Sequence, residues 1–204
     1  MKKALEAYWG DKISAEELLK VAKEQRLNTY ATIKEQGVDF VPTGTFSLYD
    51  HVLDMSNTLG IIPEAYAKSG LSQLDTYFAM ARGHQKGGVD LPATEMKKWF
   101  DSNYHYLVPE FSEKSEFKLN DNKPVDDFIE AKEAGYNARP VILGPLTLLW
   151  LGKTSKDAQD PNFNRYSLLP KLAQTYVQLF EKLAAAGAPW VQLDEPILVV
   201  DTAK

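Results

Sequence analysis

The chain has 204 residues, of which 44% are hydrophobic and 25% charged, values ordinary for a soluble globular protein. Its 23 basic and 28 acidic residues give a net charge of −5, so it carries no overall basic footprint for nucleic acid. It has no cysteine, which excludes disulfides, thiolate metal sites and a cysteine nucleophile, and its three histidines, His51, His84 and His105, lack zinc-ligand spacing. Neither a signal peptide nor a run long enough to cross a membrane is apparent, so a cytoplasmic protein is expected.

In chain order, residues 2–9 read as a helix with Leu5, Tyr8 and Trp9 apolar and Gly10 as its stop. Ser14 and Glu17 form a capping box, and Ile13 with Leu18 a hydrophobic staple, at the start of a helix running to Gln36, with Gly37 as a left-handed end. Val38–Val41 reads as a strand closed by Pro42. The order helix, glycine, short joint, strand, proline then recurs. One copy runs from Lys123-Pro124 through Gly135 to Arg139–Gly144 and Pro145; another from Leu168 through Gly187 to Trp190–Glu195 and Pro196. Between Ser47 and Phe100 lies an insertion of extra helices, while Lys86-Gly87-Gly88 and Ser112–Lys123 read as surface loops. Glu95–Phe100 reads as a helix carrying Lys97 and Lys98, and Tyr104–Val108 as a further strand of the series.

Nearly continuous apolar strands joined by short helix-to-strand connections imply parallel βα units. No G-x-G-x-x-G turn supports a dinucleotide-binding sheet. The expected fold is therefore α/β, a partial (β/α)8 TIM-type barrel with helices inserted after the first visible strand. In it Trp190, Gln192 and Asp194 face inward while Val191 and Leu193 face the helices, and Asn103 and His105 point in while Tyr104 and Tyr106 point out. Four visible strands cannot close such a barrel, so residues 1–204 are expected to form an incomplete barrel domain. Its open edges and unfilled interior would favour self-association.

Candidate functional residues cluster near strand ends. Lys97 and Lys98, with Lys2 and Lys3, could bind a polyanion, or simply solvate helix faces. Glu110 and Glu195 each follow a strand and could be the acid and nucleophile of a glycosidase. Equally, each could cap a helix or pair with a cation. His105 could act as a general base, and Asp50-His51 as a carboxylate–imidazole couple, although neighbouring residues usually diverge. No G-x-S-x-G or phosphate-binding loop is present.

Several strings, in order, carry a resemblance: Lys2-Lys3-Ala4 with Glu6-Ala7-Tyr8-Trp9, Phe46–Asp54, Lys98-Trp99-Phe100 leading to Asn103–Tyr106, Leu143–Thr147, Trp150–Lys153, and Gln192–Pro196. Together they span essentially the whole chain. The sequence resembles the N-terminal domain of cobalamin-independent methionine synthase, the 5-methyltetrahydropteroyltriglutamate–homocysteine S-methyltransferase family. That resemblance implies a methyltransferase of two (β/α)8 barrels in methionine biosynthesis. It implies no cofactor bound by this part, with zinc and homocysteine held by a C-terminal barrel that this chain lacks. The small-molecule substrate would be a 5-methyltetrahydrofolate polyglutamate. Its tail is bound in the family by an Arg-x-Leu-Lys segment and by the lysine of Lys-Trp-Phe, which correspond here to Lys2 and Lys98. His105, Glu110, Asp194 and Glu195 become expected site-lining residues. The Arg of the first segment would precede Met1 and is absent, and the chain stops soon after Pro196. A fragment inactive by itself, contributing tail binding and scaffold, is thus expected; a glycosidase-like fragment and a non-catalytic binding module are the alternatives.

Overall fold

The structure is a computed structural model and describes residues 1–201. Helix α1 (Lys2–Trp9) ends at Gly10, and α2 (Ala15–Glu35) begins with the expected capping box, Ser14 and Glu17 satisfying each other's backbone N–H groups. Ile13 packs against the cluster containing buried Leu18, as a staple requires, and Gly37 is left-handed at φ 83°. Strand β1 is Val41–Thr43, so Pro42 lies inside the strand instead of ending it. Its missing N–H is tolerable because β1 is an edge, paired on one side only.

The insertion is present as α3 (His51–Thr58), α4 (Glu64–Ala67) and α5 (Gln73–Arg82), followed by the β-hairpin β2 (His84–Lys86) and β3 (Val89–Leu91). Gly87 and Gly88 form its tip, both with positive φ. Residues 95–100 are not helical. Met96–Lys98 forms β4, paired antiparallel with β5 (His105–Leu107), and Phe100 takes φ 48° in the connecting turn. Spacing that would put Met96, Trp99 and Phe100 on one helix face yields to cross-strand hydrogen bonding. For the same reason β5 does not join the parallel series.

Strand β6 (Glu110–Phe111) pairs parallel with β8 (Lys153–Thr154). The stretch 112–122 contains no helix or strand, yet it is pinned to the end of α3 by Lys118 N–H to Leu59 O (3.1 Å) and Asn120 N–H to Thr58 O (2.9 Å). Helix α6 (Lys123–Glu133) leads through left-handed Gly135 into β7 (Ala138–Leu143); α7 (Pro145–Leu151) follows. Helix α8 (Leu169–Ala186) ends at left-handed Gly187 and leads to β9 (Gln192–Asp194).

Strands β1, β7 and β9 form one parallel sheet in that order, with Val41 opposite Ala138 and Leu143 opposite Asp194. This is the parallel arrangement expected of βα units; no closed barrel forms among the described residues. The main core packs Val41, Ile142 and Leu143 against α6, α7 and α8 through Phe128, Leu148, Leu172 and Leu179. A second core joins α1 and α2 to the insertion through Leu18, Leu53 and Phe78. In the last strand Val191 packs on the core as expected, but Leu193 is exposed toward a cleft and Trp190 lies outside, against Phe40. Leu198 and Val199, 69% and 89% exposed, continue this apolar edge.

Candidate functional site

A cleft of about 1020 Å³ opens at the carboxyl ends of the three parallel strands. Gly44 and Thr45 follow β1, Leu143 ends β7, and Asp194 with Glu195 ends β9; α3 and the β4–β5 turn supply the opposite wall. Crevices outside the carboxyl ends of parallel strands are where α/β proteins usually place ligands.

Asp50 organises the aromatic wall. It is fully buried, and its carboxylate accepts from Leu53 N–H (2.9 Å), Leu107 N–H (3.0 Å) and the Tyr104 hydroxyl (2.7 Å). One side chain therefore caps α3 and ties β5 to it. The Tyr104 proton is committed to Asp50, so toward His51 Nδ1, at 3.3 Å, this hydroxyl can only accept. That fixes the proton of neutral His51 on Nδ1. The His51 ring meets Trp99 edge-to-face at 4.5 Å, completing a wall of Trp99, Tyr104 and His51. Asp50 and His51 are thus coupled, at 3.7 Å and through Tyr104, although adjacent in sequence.

Burial lowers the His51 pKa from 6.5, opposed by the nearby Asp50 and Asp194 carboxylates. An imidazole held neutral in the fold binds fewer protons than in the unfolded chain. Its contribution to stability is complete above 6.5 and is lost as pH falls from 6.5 through the lowered folded value. The expected result is an imidazole titration midpoint below 6.5 for His51 by NMR. Stability should also fall more steeply on acidification in the wild type than in His51→Gln.

The floor holds a buried charged network. Tyr77 donates to Asp54 (2.7 Å) and accepts from Tyr49 N–H (3.1 Å). Lys123 Nζ reaches Asp127 (2.7 Å), the Phe46 carbonyl (2.8 Å) and the second Asp54 oxygen (3.5 Å). Burial pushes the Asp54 pKa up, while Lys123 and the Tyr77 hydrogen bond pull the other way. Burial would discharge Lys123, but Asp54 and Asp127 outweigh it and raise its pKa. Farther out, Arg26 grips Glu130 through two N–H groups at 2.7 and 2.8 Å.

Glu195 is spoken for. Its two oxygens accept from Leu146 N–H (2.9 Å) and Thr147 N–H (2.7 Å), capping the amino end of α7. Gly144 makes room for it: a Cβ there would lie 2.1 Å from the Glu195 carboxyl carbon. Gly144→Ala should therefore expel Glu195, expose two unsatisfied helix N–H groups and lower stability by about 1–3 kcal/mol in urea denaturation. Glu110 sits elsewhere, in a groove with Ser112 and Lys114, and pairs with Lys153 at 3.0 Å. The two glutamates line separate clefts, each with a structural partner, so the arrangement does not support a glycosidase pair. Among the described residues no group of His, Asp or Glu side chains converges as a metal site would require.

The pattern of the Cobalamin-independent synthase, N-terminal domain family matches residues 1–204. The chain belongs to this family. It is 53% identical over 207 residues to the "Probable 5-methyltetrahydropteroyltriglutamate--homocysteine methyltransferase" of Schizosaccharomyces pombe, covering 98% of this chain and 27% of that protein. The 5-methyltetrahydropteroyltriglutamate--homocysteine methyltransferases of Saccharomyces cerevisiae and Chelativorans sp. are 51% and 50% identical, again over 98% of this chain and 27% of theirs. The chain thus spans about a quarter of the length of these curated relatives.

In this synthase-family domain the expected site residues divide. Asp194 lines the cleft, where it accepts from Gln192 Nε2 at 2.8 Å, and Glu195 lines it as the α7 cap. Lys98 lies exposed on β4 immediately before the cleft residue Trp99; it makes no hydrogen bond or ion pair among the described residues, whereas Lys97 pairs with Glu95 at 3.4 Å. Lys2 is exposed on α1, 3.9 Å from Glu6. His105 does not point inward: it is exposed, and Tyr106 is buried in its stead, its hydroxyl donating to the Leu151 carbonyl at 2.9 Å. Asp54, Tyr77 and Lys123 were not legible as a site: Asp54 stood only within the Phe46–Asp54 string of the resemblance, and Tyr77 and Lys123 carried no signal for a site.

Proposed function

We propose that this chain is the N-terminal part of a cytoplasmic methyltransferase that moves a methyl group from 5-methyltetrahydropteroyltriglutamate to homocysteine. Its own share is to hold the folate, with Lys98 and Lys2 pairing with carboxylates of the glutamate tail. The observation that carries the reading is a lysine without an internal partner, Lys98, beside an aromatic-walled cleft, in a chain half identical to proteins named for that reaction. A flexible ammonium suits a string of carboxylates as a point-charge partner, and attraction in an acidic protein must come from such local charges. The flat walls of Trp99 and Tyr104, with Asp194 as acceptor, suit a planar ring bearing N–H donors.

In this reading the open β1–β7–β9 sheet is one sector of a (β/α)8 barrel completed by the longer polypeptide of the relatives. The exposed edge at Leu193, Leu198 and Val199 fits such a continuation. Zinc and homocysteine belong to that longer polypeptide. The residues of this chain, without cysteine and without a converging ligand set among those described, do not fit zinc. The chain alone binds and orients, and does not transfer the methyl group. The test is whether affinity for folate rises with the number of glutamates and depends on Lys98.

A further inference from the structure

A second cleft, of about 770 Å³, lies where α1 ends, α2 begins and α5 meets the β2–β3 hairpin. Its carboxylates are all engaged. Asp75 accepts from the Tyr8 hydroxyl (2.7 Å) and from Ser72; Asp11 accepts from Lys86 Nζ (2.6 Å); Glu17 closes the α2 capping box. Its donors are not so engaged. Arg82 lies 3.7 Å over the Trp9 ring, and neither its side chain nor that of Lys12 makes a hydrogen bond or ion pair among the described residues. The Trp9 indole N–H beneath is buried with no acceptor.

This corner therefore has a surplus of donors. A guanidinium, an ammonium and an indole N–H are all without acceptor capacity, so they cannot satisfy one another. The buried indole alone leaves a donor whose desolvation is uncompensated. Stacking on Trp9 holds the guanidinium in one plane, leaving its N–H fork preorganised for a bidentate oxyanion. The positive potential comes from Arg82 and Lys12 themselves, because the amino end of α2 is already taken by the Glu17 carboxylate. The carboxyl ends of α1 and α5 oppose it, but Lys86 neutralises the first by bonding the Trp9 carbonyl at 3.2 Å.

We propose that this cleft binds a small oxyanion, a carboxylate or phosphate group of a metabolite, on Arg82 and Lys12, independently of the strand-end site.

The test follows the Trp9 indole N–H, assigned by its loss in Trp9→Phe, in ¹⁵N NMR spectra of the whole chain. Glutarate and inorganic phosphate are titrated separately at constant ionic strength. A saturable shift of this resonance and of the Gly83 amide is expected with at least one anion, and the responding anion identifies the group. Affinity should fall about tenfold or more in Arg82→Gln and be partly kept in Arg82→Lys, which retains charge without the fork. Lys12→Gln, on an exposed position, gives the same comparison should Arg82→Gln not fold. No saturable shift with either anion, or affinities unchanged in the charge-removing variants, would overturn the proposal.

Discussion

Lys123→Ala is expected to lower the stability of the chain by about 2–4 kcal/mol, and far more than removal of any surface lysine. The lysine side chain is 25% exposed, whereas its partners Asp54 and Asp127 are 12% and 5% exposed. Removing the ammonium leaves Asp54 without a cation and Asp127 with Arg26 alone, at 3.5 Å, and orphans the Phe46 carbonyl. Residual exposure of Lys123 places the expected loss below that of a fully enclosed pair. Urea denaturation measures it. The double variant Lys123→Ala with Asp54→Asn should recover part of the loss, since the buried negative charge is then gone. Absence of such coupling would show that the network does not act as a unit.

Asp50→Ala should cost about 3 kcal/mol and loosen the cleft wall, because three hydrogen bonds converge on this carboxylate. Loss of the α3 cap alone would account for about 1 kcal/mol. The remainder comes from the Leu107 amide and the Tyr104 hydroxyl, whose partner disappears inside the fold. Hydrogen exchange at Leu107 should accelerate more than at Ile142 in the parallel sheet. The consequence for binding is distinct from the stability loss: Trp99 and Lys98 ride on the hairpin that Asp50 holds to α3. Folate affinity is expected to fall in Asp50→Ala with Lys98 untouched, and to fall less in Asp50→Asn, which keeps one acceptor.

Elements held together by local signals were legible in the sequence. The capping box at Ser14 and Glu17, and the glycines at 37, 135 and 187, mark helix ends through backbone chemistry that needs no distant partner. The apolar run of β7, entered from a helix through a short joint, announced a parallel βα unit because such a strand is covered on both faces. Residues 95–108 misled because a period of two or three apolar residues does not say which strand will pair, or in which direction. Once Met96–Lys98 finds His105–Leu107, the expected helix is lost. The site was legible only at its ends. Asp194 and Glu195 were marked by their place after a strand, but the role of Glu195 as a helix cap depends on Gly144 and α7 folding beneath it. The buried pairing of Lys123 with Asp54 joins residues far apart in sequence, and nothing local distinguishes that lysine from the many on the surface. The family resemblance supplied what charge alone could not, namely a reason to prefer Lys98 to its neighbour Lys97.

The most direct test is a calorimetric titration of the chain with the triglutamate and the monoglutamate of 5-methyltetrahydrofolate, at low and at high salt, for wild type and Lys98→Ala. The account predicts tighter binding of the triglutamate, by about tenfold if one charge-assisted contact is worth about 1.4 kcal/mol, with the advantage shrinking in salt and largely vanishing in the variant. Equal affinity for both folates, or a triglutamate preference that survives Lys98→Ala unchanged, would contradict it.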